Sequence, residues 1–192
     1  MIQLFVFVTI MACKWKKQAT TTPMDVPEPV REAIEKQICA ELHAQYLYNA
    51  MGACMQAQNL PGMAYWMYDQ AKEEEEHAFR LLEFLTLKGV PVRFLTNEKP
   101  EAEWWNDPID AFKAALQHEK KVTAMINELD AKIRQYDAAD PHLGIDKLLK
   151  WFHEEQQEEE ESVGKTIEML EKCRADGNPL QSVDKAIAKL RS

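Results

Sequence analysis

From Pro29 onward, apolar residues recur every three or four positions, the spacing that keeps one face of a helix turned towards a core. This pattern predicts four long helices and a short one. The first runs from about Pro29 to Gln58 and stops at "NLPG", Asn59 to Gly62. The second runs from about Met63 to Lys88, where "KGVP" ends it. The third starts after Asp107, with Pro108 in its first turn, where a missing N–H costs nothing, and reaches about Tyr136. After "DAADPH" the fourth runs from about Pro141 to Arg174. "ADGNP" closes it, and Leu180 to Leu190 makes a short fifth.

The connections carry topology. Helices one and two, and helices three and four, are joined by short turns. Helices two and three are joined by about 20 residues without helical periodicity, long enough to travel the length of a bundle and reset helix direction. The expected fold is therefore all-α: a four-helix bundle with one long crossover, the ferritin-like connectivity, plus a short C-terminal helix.

Each apolar stripe is broken near its middle. Helix one reads Ile34, Ile38, Glu41, Gln45, Tyr48. Helix two reads Met63, Met67, Gln70, Glu74, His77, Leu81, Leu85. Helix three reads Phe112, Leu116, Glu119, Val122, Ile126, Leu129, Ile133. Helix four reads Leu148 or Leu149, then Phe152, Gln156, Glu159, Val163, Ile167, Leu170. Taken singly, "EEEEH" (residues 73–77) and "HEEQQEEEES" (residues 153–162) are ordinary charged helix faces. Four helices that each place a carboxylate at similar depth are different, because a buried carboxylate is costly unless paired or coordinated. Metal ions remove that cost, and carboxylate oxygens with one imidazole suit iron or manganese. Glu74 and His77, at i and i+3, can address one ion. Glu73 lies beside them. Glu75 and Glu76 are expected to face solvent, with Glu76 placed to pair with Arg80. His43, His118, His142 and His153 have no place on a stripe and are assigned to the surface.

Composition narrows the partners. Acidic residues outnumber basic ones, 32 to 23, for a net charge of −9. Such a chain lacks the basic footprint of a nucleic-acid binder and suits one that gathers cations. Cys13, Cys39, Cys54 and Cys173 form no CxxC pair and read as reduced thiols in a cytoplasmic protein. The apolar run Ile2 to Cys13 is too short to span a bilayer, and its lysines follow it rather than precede it. Residues 1–23 therefore read as an N-terminal extension, disordered or translated from a start assigned too early, with the ordered domain covering residues 24–192. "IMAC" at Cys13 resembles a lipoprotein box, so a membrane tether through Cys13 is the alternative.

From about residue 25 to 190 the chain resembles the non-haem ferritins of bacteria and archaea. The segments that carry this are "AELHAQYLY" with Glu41 and Tyr48, "EEEEHAF" with Glu74 and His77, "HEKKVTAMINEL" with Glu119, and "WFHEEQQEEEE" with Gln156 and Glu159. The resemblance implies a di-iron centre that oxidises Fe2+ with O2, or H2O2. One iron would take Glu41, Glu74 and His77; the second would take Glu74 as a bridge, Glu119 and Glu159. Gln156 would sit beside the pair, and a third, looser site would use Glu73, Glu155 and Glu158 with Glu159 nearby. Tyr48 and Trp151 match aromatic residues that can donate an electron. Helix four carries Gln156-x-x-Glu159 where a bacterioferritin or rubrerythrin would carry Glu-x-x-His, which disfavours haem. The resemblance further implies self-assembly into a hollow homo-24-mer that stores ferric mineral, with the fifth helix at fourfold axes and Trp104 and Trp105 available for subunit contacts or for packing on their own bundle. Two other classes stay open: a non-storing, rubrerythrin-like di-iron or di-manganese oxidase or peroxidase, and a helical interaction module whose acidic runs are only solvated surface.

Overall fold

A computed structural model describes residues 26–100, 104–137 and 144–191. The extension with Cys13, the expected domain start at Met24, and His142 lie outside the described residues. Four long helices form the body: α1 (Glu28–Ala57), α2 (Pro61–Leu87), α3 (Pro108–Asp137) and α4 (Asp146–Ala175). A short α5 (Gln181–Ala188) follows, extended by a turn of 3-10 helix, Lys189–Arg191. The expected bounds hold to within one or two residues except at the start of α4. There Gly144 adopts a positive φ and Ile145 precedes the first helical residue, so the helix begins at Asp146. The expected first turn from Pro141 falls in residues outside the description.

Local chemistry places the ends. Pro61 opens α2, and α2 closes in a tight C-terminal turn at Gly89, φ 73°. There the amide of Val90 returns to the carbonyl of Leu85, a conformation that a side chain at position 89 would strain.

The crossover lies along α1. The guanidinium and amide of Arg93 meet the buried carboxylate of Glu35 at 2.9–3.3 Å. The amide of Asn97 donates to the carbonyl of Leu42 at 3.1 Å. Gln58 donates to the carbonyl of Trp105 at 2.6 Å. The chain thus passes from the N-terminal to the C-terminal part of α1, and α3 starts there and runs back. Trp105 is buried on its own bundle while Trp104 is exposed, which settles the two packing options for Trp105 in favour of the intramolecular one.

Two apolar cores result. One gathers Tyr48, Met51, Trp66, Met67, Phe112, Val163 and Leu170. The other gathers Ile34, Ile38, Leu81, Leu85, Ile126, Leu149 and Phe152. Every long helix crosses from one to the other, and in each the crossing point is polar: Glu41, Glu74 with His77, Glu119, and Gln156 with Glu159, all buried. The seam between the cores is where the four carboxylate-bearing helices meet.

Candidate metal centre

The stripes predicted from spacing face inward almost without exception; Gln45, Leu116 and Leu148 alone are only partly buried. Glu41, Glu74, Glu119 and Glu159 each expose 2% or less of their surface. Among the described residues, the basic group that stands at the seam is the imidazole of His77. Its Nδ1 lies 3.5 Å from Glu74 and its Nε2 lies 3.9 Å from Glu155. Ligand atoms of Glu41, Glu74 and His77 lie within 4.8 Å of one another, and so do those of His77, Glu155 and Glu159. His77 belongs to both groups, one ring nitrogen turned to each.

Glu119 is arranged differently. Tyr48 donates its hydroxyl to Oε1 at 2.5 Å, and Gln156 donates to Oε2 at 2.8 Å and to the backbone carbonyl of Glu119 at 3.1 Å. Three helices are tied together through one carboxylate. Gln156, expected beside the metal pair, is buried at the seam and donates to Glu119.

Crowding shows in the proton affinities. Burial, then the charge of Glu74, pushes the Glu41 carboxyl up to about 8. Glu74 is held well above the ordinary carboxylate range, by burial first and then by Glu119 and Glu159. Burial raises Glu119 to about 6, the bonds from Tyr48 and Gln156 offsetting part of the rise. The phenol of Tyr48 is raised by burial and by the same carboxylates. Such a seam lacks positive charge. One atom marks the lack: Glu41 Oε2 is buried without a hydrogen-bond partner. A hard cation among these oxygens would satisfy that atom and lower every shifted carboxyl together.

The remaining candidates lie at the margin. Glu73 and Glu155 are half-buried, and Glu158 is exposed. Trp151 is half-buried and meets the His77 ring edge-on, centroids 5.3 Å apart. Arg80 does not pair with Glu76 as expected; its guanidinium lies over the Trp151 indole, 4.0 Å from the ring centre. His118, expected at the surface, is half-buried. Burial, then His43 and Lys121, pushes it down to about 4.

Sequence reasoning overlooked Gln37. It is buried and donates to Glu41 Oε1 at 2.8 Å. Gln70 stands in the same relation to Glu74, at 3.4 Å. The signal was there: Gln-x-x-x-Glu occurs in both helices, one turn ahead of each carboxylate, where i and i+4 side chains meet.

Known proteins share the sequence and the fold. The ferritin-like domain family matches residues 31–173. The bacterial non-heme ferritin of Escherichia coli is 31% identical over 164 residues, covering 85% of this chain and 96% of its own. The ferritin of Pacifastacus leniusculus is 32% identical over 148 residues, covering 76% of this chain and 80% of its own. The crystal structure of the open-pore ferritin from the hyperthermophilic archaeon Archaeoglobus fulgidus superposes with a TM-score of 0.76 at 30% identity, covering 85% of this chain and 98% of that one. With matching sequence, matching fold and buried carboxylates on all four helices at one depth, the chain belongs to the ferritin family, in its non-haem branch.

Proposed function

We propose that the chain is an iron-storing ferroxidase. Two Fe2+ enter the seam as substrate, one held by Glu41, Glu74 and His77, the other by Glu74, Glu119 and Glu159. The observation that carries this is the convergence of four buried carboxylates, Glu41, Glu74, Glu119 and Glu159, on the His77 imidazole, with Glu41 Oε2 buried and given no hydrogen bond.

The balance of the reaction is simple. Each Fe2+ gives one electron, O2 takes two with two protons, and Fe3+ and H2O2 result. With H2O2 as oxidant the same two electrons and two protons give water. Carboxylates favour the more highly charged product, because Coulomb energy scales with charge and is strong in a low-dielectric site. Tyr48 and Gln156 hold Glu119 by one hydrogen bond to each carboxylate oxygen, so this carboxylate keeps its place whether or not a cation is bound. Gln156 offers a neutral donor there, which leaves the product bound less tightly than an imidazole ligand would and free to leave. Glu73, Glu155 and Glu158, with Glu159 nearby, form the outer, looser set, and Tyr48 or Trp151 supplies the second electron when a single Fe2+ meets the oxidant. The product is stored as ferric mineral within a shell of 24 copies.

The relatives' names support storage, both being ferritins. Among the described residues no helix is long and apolar enough to cross a membrane.

Two measurements test this reading together. Aerobic addition of Fe2+, followed by ferric absorbance, should show rapid oxidation by the wild-type chain and slow background oxidation by Glu74→Ala/His77→Ala. Light scattering should give a particle of roughly 500 kDa from a 22.2 kDa chain. Equal oxidation by both proteins would refute the assigned centre. A dimer with fast oxidation would instead favour the non-storing oxidase.

A further inference from the structure

We propose that His43 and His118 form a second cation site, separate from the carboxylate seam, that takes a nitrogen-preferring divalent ion of the zinc and copper class. The two imidazoles come from α1 and α3, with ring centres 5.9 Å apart and planes inclined at 44°. A zinc–imidazole bond is about 2.0–2.1 Å, and ring centre to nitrogen adds about 1.1 Å, so two rings on one ion can stand up to about 6.4 Å apart. A tetrahedral angle would bring them to roughly 5.2 Å, less than an ångström closer than they now stand.

His43 is already oriented as a ligand. Asn97 donates its amide nitrogen to the carbonyl of Leu42 at 3.1 Å, which fixes Oδ1 as the end facing His43. His43 Nδ1 lies 3.1 Å from that oxygen and must donate to it. The proton is thereby assigned to Nδ1, and the Nε2 lone pair is left for a metal. This is the outer-shell arrangement that ligating histidines ordinarily have, the second ring nitrogen donating to a carbonyl oxygen. On the other helix, His118 Nε2 is buried and has no hydrogen-bond partner, a state that buried polar atoms seldom keep without a ligand.

There is room for the rest of a coordination shell. Both rings line a cavity of about 160 Å3, with Gln117 on its wall and Trp105 closing one side. At about 30 Å3 per water, this accommodates the solvent ligands that a two-histidine site requires. Lys121 stands at the rim, exposed to water, so its charge is screened and weakens binding without blocking it. Neutral nitrogen donors select for copper and zinc over the hard, carboxylate-preferring ions of the seam. The two sites are distinct in direction as well. His118 precedes Glu119 by one position, and His43 follows Glu41 by two, so helical geometry turns each ring about 100–200° away from its neighbouring carboxylate.

The test uses Cu2+ and the full chain, with Glu74→Ala/His77→Ala removing the seam as a competing site. Electron spin-echo spectroscopy of bound Cu2+ should count two equivalent imidazoles at one ion per chain. Adding His43→Ala should leave one imidazole and weaken binding at least tenfold. Asn97→Leu keeps both imidazoles but removes the acceptor on Nδ1, and should weaken Cu2+ binding 10- to 100-fold. His118→Gln should abolish the two-imidazole signal. Unchanged spectrum and affinity in the His43→Ala chain, or no copper retained in the parent double variant, would overturn the proposal. Neither result bears on iron oxidation by the wild-type seam.

Discussion

Tyr48 and Glu119 meet across the bundle, from α1 to α3, with hydroxyl and carboxylate oxygens 2.5 Å apart. The tyrosine is fully buried, and its bond is one of the two side-chain donations that Glu119 receives. Tyr48→Phe removes the donor and leaves the ring volume. Hydrogen bonds to charged groups contribute about 1.5–3 kcal/mol, so the variant should lose stability of that order at neutral pH. Glu119 should then hold its proton to higher pH, since one of the bonds that favour its ionised form is gone. Thermal melts and the pH midpoint of Co2+ binding check both effects. A midpoint that does not rise would mean that Tyr48 does not support the ionised carboxylate.

The raised carboxyls fix the direction of the pH dependence. Glu41 at about 8 and Glu119 at about 6 both bind protons more tightly in the folded chain than the ordinary value of 4.5. Between those limits the folded state carries more protons than the unfolded one, so stability falls as pH rises from about 4.5 towards 8. Cations act the opposite way, because they compete with those protons and bind better as pH rises. The melting temperature without added metal should therefore drop between pH 5 and 8, and the rise caused by Mn2+ or Zn2+ should be larger at pH 8 than at pH 6. Proton release on metal binding, followed with a pH indicator, should accompany it. A metal-induced rise that shrinks with pH would contradict the buried-carboxylate assignment.

Much of this was legible in the sequence, for a definable reason. Stripes such as Met67, Gln70, Glu74, His77 and Leu81 keep helical step and interrupt themselves with costly groups, so period and penalty point to the same residues. The crossover was legible as length without period. Three things were not. Gln37 went unnoticed because a lone glutamine carries no penalty signal until its carboxylate neighbour is known to be buried. His118 looked like surface because its burial comes from His43 and the crossover, which spacing within α3 cannot report. Arg80 was matched to Glu76 by the i+4 rule, but the cation is better placed over an indole on another helix, a contact that only tertiary structure creates.

Asp184 caps a helix it does not belong to. Its two carboxylate oxygens accept the amides of Gly62 and Met63, each at 2.8 Å, in the first turn of α2. No residue ahead of α2 provides a side-chain cap, so Asp184 on α5 does so, and its charge faces the positive end of the helix. A side chain at Gly62 would place its Cβ 2.0 Å from the Asp184 carbonyl oxygen. Asp184→Ala should cost about 1–2 kcal/mol, as loss of an N-cap does, and Gly62→Ala should displace α5 outright. Limited proteolysis should then cut between α4 and α5 faster in both variants. Proteolysis at the wild-type rate in Gly62→Ala would show that α5 is held by other contacts.

Trp151 stands between His77 and Arg80, edge-on to the imidazole and beneath the guanidinium. If the indole gives up an electron, the positive charge it gains must sit 4.0 Å from a second positive charge. That repulsion makes oxidation of the indole harder, so removing the Arg80 charge should make Trp151 easier to oxidise. Arg80→Leu retains a covering side chain and removes the charge. During repeated Fe2+ and O2 additions, the peptide containing Trp151 should gain oxygen several-fold more often in the variant than in the wild type, by mass spectrometry. Peptides containing Trp104 report general oxidative damage and should not change. Equal oxygen uptake at Trp151 in both proteins would show that the indole takes no part in electron transfer, whereas a rise shared by Trp104 would assign the effect to peroxide released from the seam.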